Sequence, residues 1–300
     1  MLYIVTLCVI FLWMITLLRK KQLSWHSIIT AYIIGESTAD FFEGLFNVIL
    51  GLYRFPTHLS ANPYLENEYG VILADFLILP FTFIIFTYYA SKTKRPWLLS
   101  LIFAAVFITL EWTYLKLGHM KYIHWSLYIS STFYIAGFRF GVYLARRISS
   151  YDPPIPYRVR LLCFSHAILM WVSAMFALPI FKLYQFKPGL LKDYVADCRV
   201  AELLTGDFLS VLCVVFIPMI PRKFKPVAFT VITFIGVSIA LIFYNKGWLV
   251  YHHWNHFFMA TLRYLMPLIL IMLYDRWESG YKPDKSTSPE TMSLSSNGTL

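Results

Sequence analysis

The run YIIGESTADFFEGLFNVI (32–49) places three acids, Glu36, Asp40 and Glu43, at i, i+4 and i+7. A helical twist of 100° per residue gathers them, with Tyr32 and Asn47, within about 80° of one another. Ile34, Phe41, Leu45 and Leu52 take the opposite side. Three carboxyls on one face can ligate a cation, pass a proton or hold a polar head group, and they can also serve as interhelical pairs that fix packing. The flanking residues are apolar enough to span a bilayer, where each acid costs about 2.5–3.5 kcal/mol at a helix centre. Three ionised acids cost roughly 8–10 kcal/mol, against about 4–7 returned by the apolar residues of the same span. The stripe therefore has to face other helices or water rather than lipid.

Further ionisable residues fall inside apolar runs. Arg139, mid-span in IAGFRFGVY, and Arg263, in the outer half of the last run, can complement the acids, while Asp75, Glu111 and Asp207 sit towards the outer ends of theirs. Glu36, Asp40, Glu43, Asn47, Glu111 and Arg139 thus form the candidate ligand- or ion-binding set, around a polar cavity facing outwards. Five histidines, His119, His124, His252, His253 and His256, cluster at outer ends. His252 and His256 have the i, i+4 spacing that two metal ligands on a helix share; the alternative is a belt of Trp, Tyr and His at the membrane interface. No HExxH, GxSxG or P-loop occurs, which argues against an enzyme. No cofactor is indicated. Cys8, Cys163, Cys198 and Cys213 form no CxxC pair, so neither a disulfide framework nor a zinc ribbon is expected, and only Cys198 falls in an expected loop.

The elements that position these residues follow from composition. Of the 300 residues 58% are hydrophobic and 14% charged, with mean hydropathy +0.61. This predicts an all-α polytopic membrane bundle of about nine spans, near 2–18, 26–53, 70–90, 97–117, 126–145, 160–182, 203–220, 227–245 and 255–274. The net charge of +10 lies in short clusters between spans, including RKK (19–21), KTKR (92–95) and RKFK (222–225). That pattern marks cytoplasmic loops rather than a nucleic-acid surface. It predicts a cell-membrane protein with its N-terminus outside, a retained first helix and a cytoplasmic C-terminus. The 183–202 loop, with Lys187, Lys192 and Arg199 on the outer side, fits least well. The Ser/Thr/Pro-rich tail reads as disordered, and its Asn297-Gly-Thr triplet would then be silent.

Short phrases recur in order at a near-constant offset of about 130 residues. LYRF (52–55) answers LYQF (183–186), ADF (74–76) answers GDF (206–208), KRP (94–96) answers FKP (224–226), GHMKYIHW (118–125) answers GWLVYHHW (247–254), and Arg147 answers Arg276. A tandem duplication is the expectation: an N-terminal helix in 1–25, a four-helix repeat in 26–147, a cytoplasmic linker in 148–159, a second four-helix repeat in 160–276 and a tail in 277–300. Four spans per unit return the chain to its starting side, so the repeats are parallel, related by an axis along the membrane normal. The stripe is not duplicated: Ala167, Trp171, Ala174 and Leu178 stand at the aligned positions.

Each half also resembles a family of small multi-pass membrane proteins from endospore-forming Firmicutes, whose members are single units of four or five spans. The resemblance rests on LYRFP, an Asp-Phe at a helix start, a basic turn with Pro, and the run EWTYLKLGHMKYIHW. It implies that Glu111, Tyr122, His124 and Trp125 form the motif of a Glu before an outer Tyr-x-His-Trp. The second half keeps Tyr251, His253 and Trp254 but has Ala240 in place of the Glu. The resemblance implies a bundle fold and no particular activity.

Three functions fit these residues. The first is binding, transport or sensing of a small cation, a proton or a polar solute, with the lipid bilayer as surroundings. The second is an enzyme acting on a lipid head group, and the third a non-catalytic partner in a membrane complex. The sequence specifies no protein partner.

Overall fold

The computed structural model describes residues 2–20, 23–149, 154–177, 180–252 and 255–280. Leu178, His253, Trp254, the middle of the linker and the tail with Asn297 lie outside the described residues. Within them run nine continuous helices: α1 Leu2–Arg19, α2 over 25–49, α3 Pro63–Lys92, α4 Pro96–Lys116, α5 Leu127–Ser149, α6 Tyr157–Phe176, α7 Tyr194–Met219, α8 Arg222–Asn245 and α9 His256–Gly280. Seven of these, all but α2 and α5, are long and apolar enough to cross a bilayer. The chain is an all-α bundle of the multi-pass membrane type. Polarity rather than length separates the other two, since the 23 residues of α5 rise about 35 Å.

Several boundaries differ from the expected ones, each for a local reason. Helix α3 begins at Pro63 rather than near 70, because the Asn62 side chain accepts from the Tyr64 and Leu65 N–H groups and Pro63 suits the first turn. Helix α7 begins at Tyr194 rather than 203, because Asp193 accepts from the Val195 and Ala196 N–H groups. Glu66, Glu68, Asp197, Cys198 and Arg199 are therefore helical rather than in loops. Asp197 is buried and accepts from the N–H groups of Gly189 (2.9 Å), Leu190 (2.6 Å) and Leu191 (2.9 Å). Helix α9 continues past the expected end to Gly280. Its last turns are held by Asp275, which takes Lys225 (2.6 Å) and the Tyr157 hydroxyl, and by Glu278, which takes Arg160 (2.6 Å) and His26 (2.8 Å).

Two helices contain a widened, π-type turn: 44–49 in α2 and 72–78 in α3. The Leu50 N–H reaches Leu45 O and the Leu79 N–H reaches Ala74 O, so each turn takes in an extra residue.

The recurring phrases meet in space within each half. Strand β1 (Tyr53–Arg54) pairs antiparallel with β2 (Lys121–Tyr122), with Tyr53 opposite Tyr122. Strand β3 (Tyr184–Phe186) pairs with β4 (Leu249–Tyr251), with Tyr184 opposite Tyr251. Leu52 O accepts from the Ile123 and His124 N–H groups, as Leu183 O accepts from the His252 N–H. The Phe55 N–H donates to Asn67 (2.9 Å), as the Phe186 N–H donates to Cys198 Sγ (3.4 Å). Gly118 and Gly247 follow α4 and α8 at φ +73° and +72°, a left-handed conformation that a Cβ would strain.

Helix α1 leans on α3 and on the α4 end, where the Tyr3 hydroxyl donates to His119 O (2.7 Å) and the Tyr114 hydroxyl to Thr6 (2.8 Å). Helix α2 packs between α3 and α6. There the Trp171 indole donates to the Tyr32 hydroxyl (2.7 Å), which donates on to Phe76 O (2.7 Å). The first ladder is clamped against α3 at Gly70, where an added Cβ would lie 2.2 Å from Phe55 Cβ. Gly70→Ala is expected to lower stability by about 1–3 kcal/mol. Gly137→Ala, whose Cβ would meet nothing within 4 Å, is expected to stay within about 1 kcal/mol of the parent. Thermal unfolding of the detergent-solubilised protein measures both.

Candidate functional site

The acidic stripe of α2 does not act as a unit, because different neighbours cover successive turns. Asp40 faces the second half of the chain. It takes a hydrogen bond from the Arg199 guanidinium and lies 3.1 Å from His166 Nε2, whose other ring nitrogen is 2.6 Å from Asp207. Arg199 Nε lies 3.8 Å from Glu68, and its guanidinium sits over the Phe76 ring at 5.2 Å. Asp40, Glu68 and Arg199 are buried, while the Asp207 side chain is half exposed. Glu36 is buried beside this group; Ser37 approaches one oxygen at 3.4 Å and the other has no partner among the described residues. Asp75, in the wide turn of α3, is fully buried, and neither of its oxygens is hydrogen bonded to a described residue. Charges held this way cost desolvation that only close pairing offsets.

Glu43 faces the other way, into a cavity of about 560 Å³ among α1–α5. Glu43 lies beside the Tyr53 hydroxyl, and its Oε2 has no partner among the described residues. Burial, and next the Glu43 carboxyl, push the Tyr53 pKa well above the ordinary phenol range, so this hydroxyl stays a donor. Glu111 stands on another wall with three hydroxyl donors: Tyr122, Ser130 (2.5 Å) and Tyr134 (2.6 Å). The Trp125 indole supports Ser130 from behind (2.7 Å). Burial followed by Glu111 likewise raises the Tyr122 pKa. The remaining walls are mostly apolar, and among the described residues no Lys, Arg or His lines them. Phe42, Phe133 and Phe140 line the cavity and are also exposed on the bundle surface, so it opens in the seam between α2 and α5.

The expected site residues thus separate. Glu43 and Glu111 share the cavity, and Asp40 and Glu36 belong to the buried charge group. Asn47 exchanges hydrogen bonds with Asn67 (2.8 and 3.5 Å) and lines a smaller polar crevice of about 190 Å³ with Arg54, Glu68, Lys192 and Asp193. Arg139 joins no acid among the described residues; its guanidinium stacks on Trp97 at 4.0 Å. Arg263 pairs with Glu202 rather than with the stripe. The His256 ring stacks on Tyr244 (4.4 Å), and His252 is exposed beside β4. No group of three or more His, Cys, Asp or Glu placed to hold a metal occurs among the described residues.

Sequence reasoning missed Arg199 and His166, the partners of Asp40. A signal for Arg199 was present: counted from LYRF and LYQF, Glu68 and Arg199 hold the same position, with opposite charge.

The chain matches no protein-family model, no curated protein and no solved structure.

Arg199→Met leaves Asp40 buried without its cation and is expected to cost about 3–5 kcal/mol. Adding Asp40→Asn should recover part of this, with a coupling of about 0.5–3 kcal/mol in the double-mutant cycle. Glu43→Gln keeps an oxygen for the Tyr53 hydroxyl and should stay within about 1 kcal/mol of the parent. Unfolding in detergent gives all of these.

Proposed function

We propose that this chain is a membrane-embedded binding protein whose first half takes an amphiphilic small molecule into the cavity among α1–α5, in the service of carriage or sensing. The observation that carries this reading is a cavity of about 560 Å³ with apolar walls, two inward carboxyls and a mouth lined by Phe42, Phe133 and Phe140. Small-molecule sites have this size and make-up: roughly 300–1,000 Å³, mostly apolar, with a few placed polar groups. Apolar walls offer water few partners, whereas an apolar body with one polar head matches both parts. The mouth at the lipid-facing seam suits a ligand that arrives from the bilayer.

The architecture we propose has nine spans, with α2 and α5 crossing as well, and two parallel four-helix repeats after α1. Support comes from the paired ladders, the matched left-handed glycines and the matched caps Asn62 and Asp193. We place the basic turns in the cytoplasm and the ladders with the N-terminus outside, on the distribution of Lys and Arg. Kinship with the Firmicutes family rests on the Glu111 and Tyr-x-His-Trp motif. Tyr122 touches Glu111 directly, and Trp125 reaches it through Ser130.

The test is binding of 1-aminoanthracene, an uncharged environment-sensitive probe, to the full-length protein in lipid nanodiscs. Saturable fluorescence enhancement above empty nanodiscs is expected, retained in Gly137→Ala and lost in Gly137→Phe, whose ring enters the cavity from α5. Equal saturable binding by the parent and Gly137→Phe would overturn the reading.

A further inference from the structure

The second half holds an organic cation of its own. Arg263 of α9 is 4% exposed, and its guanidinium carbon lies 4.9 Å from the ring centre of Tyr184, 4.7 Å from Phe186 and 4.8 Å from Tyr264. One of its nitrogens donates to Glu202. The arrangement is an aromatic box closed by one carboxylate, which favours a desolvated cation through the ring faces and a charge-assisted hydrogen bond.

The corresponding wall of the first half lacks that cation. Tyr184 and Phe186 belong to β3, and their counterparts at the first ladder, Tyr53 and Phe55, both line the cavity. Arg263 stands at the same place counted from the start of α9 as Tyr134 does from the start of α5. In the first half this position is a phenol, and the cavity holds two carboxyls, Glu43 and Glu111, with no basic residue on its walls among the described residues. Glu111 is already served by three hydroxyls, whereas Glu43 keeps one oxygen without a partner among the described residues. One copy fills its aromatic and acidic wall with its own guanidinium; the other presents such a wall to whatever enters.

We infer that the ligand of the first-half cavity is a lipophilic organic cation, an ammonium or guanidinium on an apolar body. Its head sits against Glu43 beside the rings of Tyr53 and Phe55, and its body extends towards Phe133 and Phe140 at the mouth. This rests on the reading of the cavity as an amphiphile site and adds the sign of the charge. An anionic head would face two carboxyls. A neutral head satisfies one hydrogen bond and forgoes the attraction of rings and acids for a positive charge.

The experiment compares octylguanidinium with octylurea, its uncharged analogue of nearly the same shape, by isothermal titration of the full-length protein in nanodiscs, with empty nanodiscs subtracted. Octylguanidinium should bind at least about tenfold more tightly, and Glu43→Gln should weaken it by roughly 10- to 100-fold while changing octylurea little. An unfolding scan of Glu43→Gln certifies its fold, and the comparison on the parent protein needs no variant. Equal affinity for the two probes, lost for both in Gly137→Phe, would overturn the cation assignment and leave the amphiphile site standing. Saturable binding of neither probe would overturn both.

Discussion

A guanidinium buried among apolar helices has to find a carboxylate, and Arg199 finds Asp40 across the seam between the two halves. Breaking such a pair leaves a desolvated charge that nothing nearby can hydrate. The pairing fixes how α2 meets α7, and with it the seam. Around it, counterparts face counterparts: α2 lies on α6, the first turns of α3 lie on those of α7, and Glu68 and Arg199, equivalent by position, approach to 3.8 Å. Equivalent residues that touch each other lie on a two-fold axis, as in an isologous dimer interface. Under the proposed duplication, the seam is the interface of an internal dimer, with the axis near Glu68 and Arg199. Their opposite signs turn what would be a like-charge contact in an exact copy into an attraction.

The hydrogen bonds that recur between the halves are those of the ladder backbones and of the caps Asn62 and Asp193, whereas the polar side chains at the centre of each half differ. The ladders join Tyr53–Arg54 to Lys121–Tyr122 and Tyr184–Phe186 to Leu249–Tyr251 through main-chain bonds, which tolerate almost any side chain. Cores and cavities depend on side-chain volume and charge, and there Glu111 stands against Ala240 and Tyr134 against Arg263. The frame is held in common while the interiors diverge.

This division also explains what was legible in the sequence. Nine helical segments follow from apolar run length, and the placing of both Tyr122 and Tyr251 in short ladders accords with the ordered recurrence of their phrases. The helical period gathers Glu36, Asp40 and Glu43 within a narrow arc of α2, but a period gives direction and not neighbour. Asp40 meets Arg199 and His166, while Glu43, about one turn on, meets Tyr53 and the cavity. Arg199 was hidden because α7 was started at its apolar stretch and not at its cap, Asp193, which placed a helical residue in a loop. Arg139 could be satisfied without any acid, on the face of Trp97. The apolar character of the main cavity was illegible for another reason. Nearly every face of these helices is apolar, and which face is left without a packing neighbour depends on how α2 and α5 diverge in three dimensions.

One consequence concerns α2 itself. It presents Asp40 to the second half and Glu43 to the cavity about one turn apart, and the widened turn at 44–49 follows at once. Intrahelical bonds transmit axial shift and rotation almost rigidly over so short a distance, while a wide turn is a place where such a motion can be absorbed. A ligand head that draws Glu43 inwards therefore moves Asp40 relative to Arg199 unless the wide turn takes up the strain. The free energy of occupying the cavity and that of closing the inter-half ion pair are linked through this segment, and linkage runs in both directions. In an exact duplicate the same device would exist twice. Here the second half has its cation fixed in place at Arg263 and Glu202, while the first half has both the cavity and a charged seam to pull on.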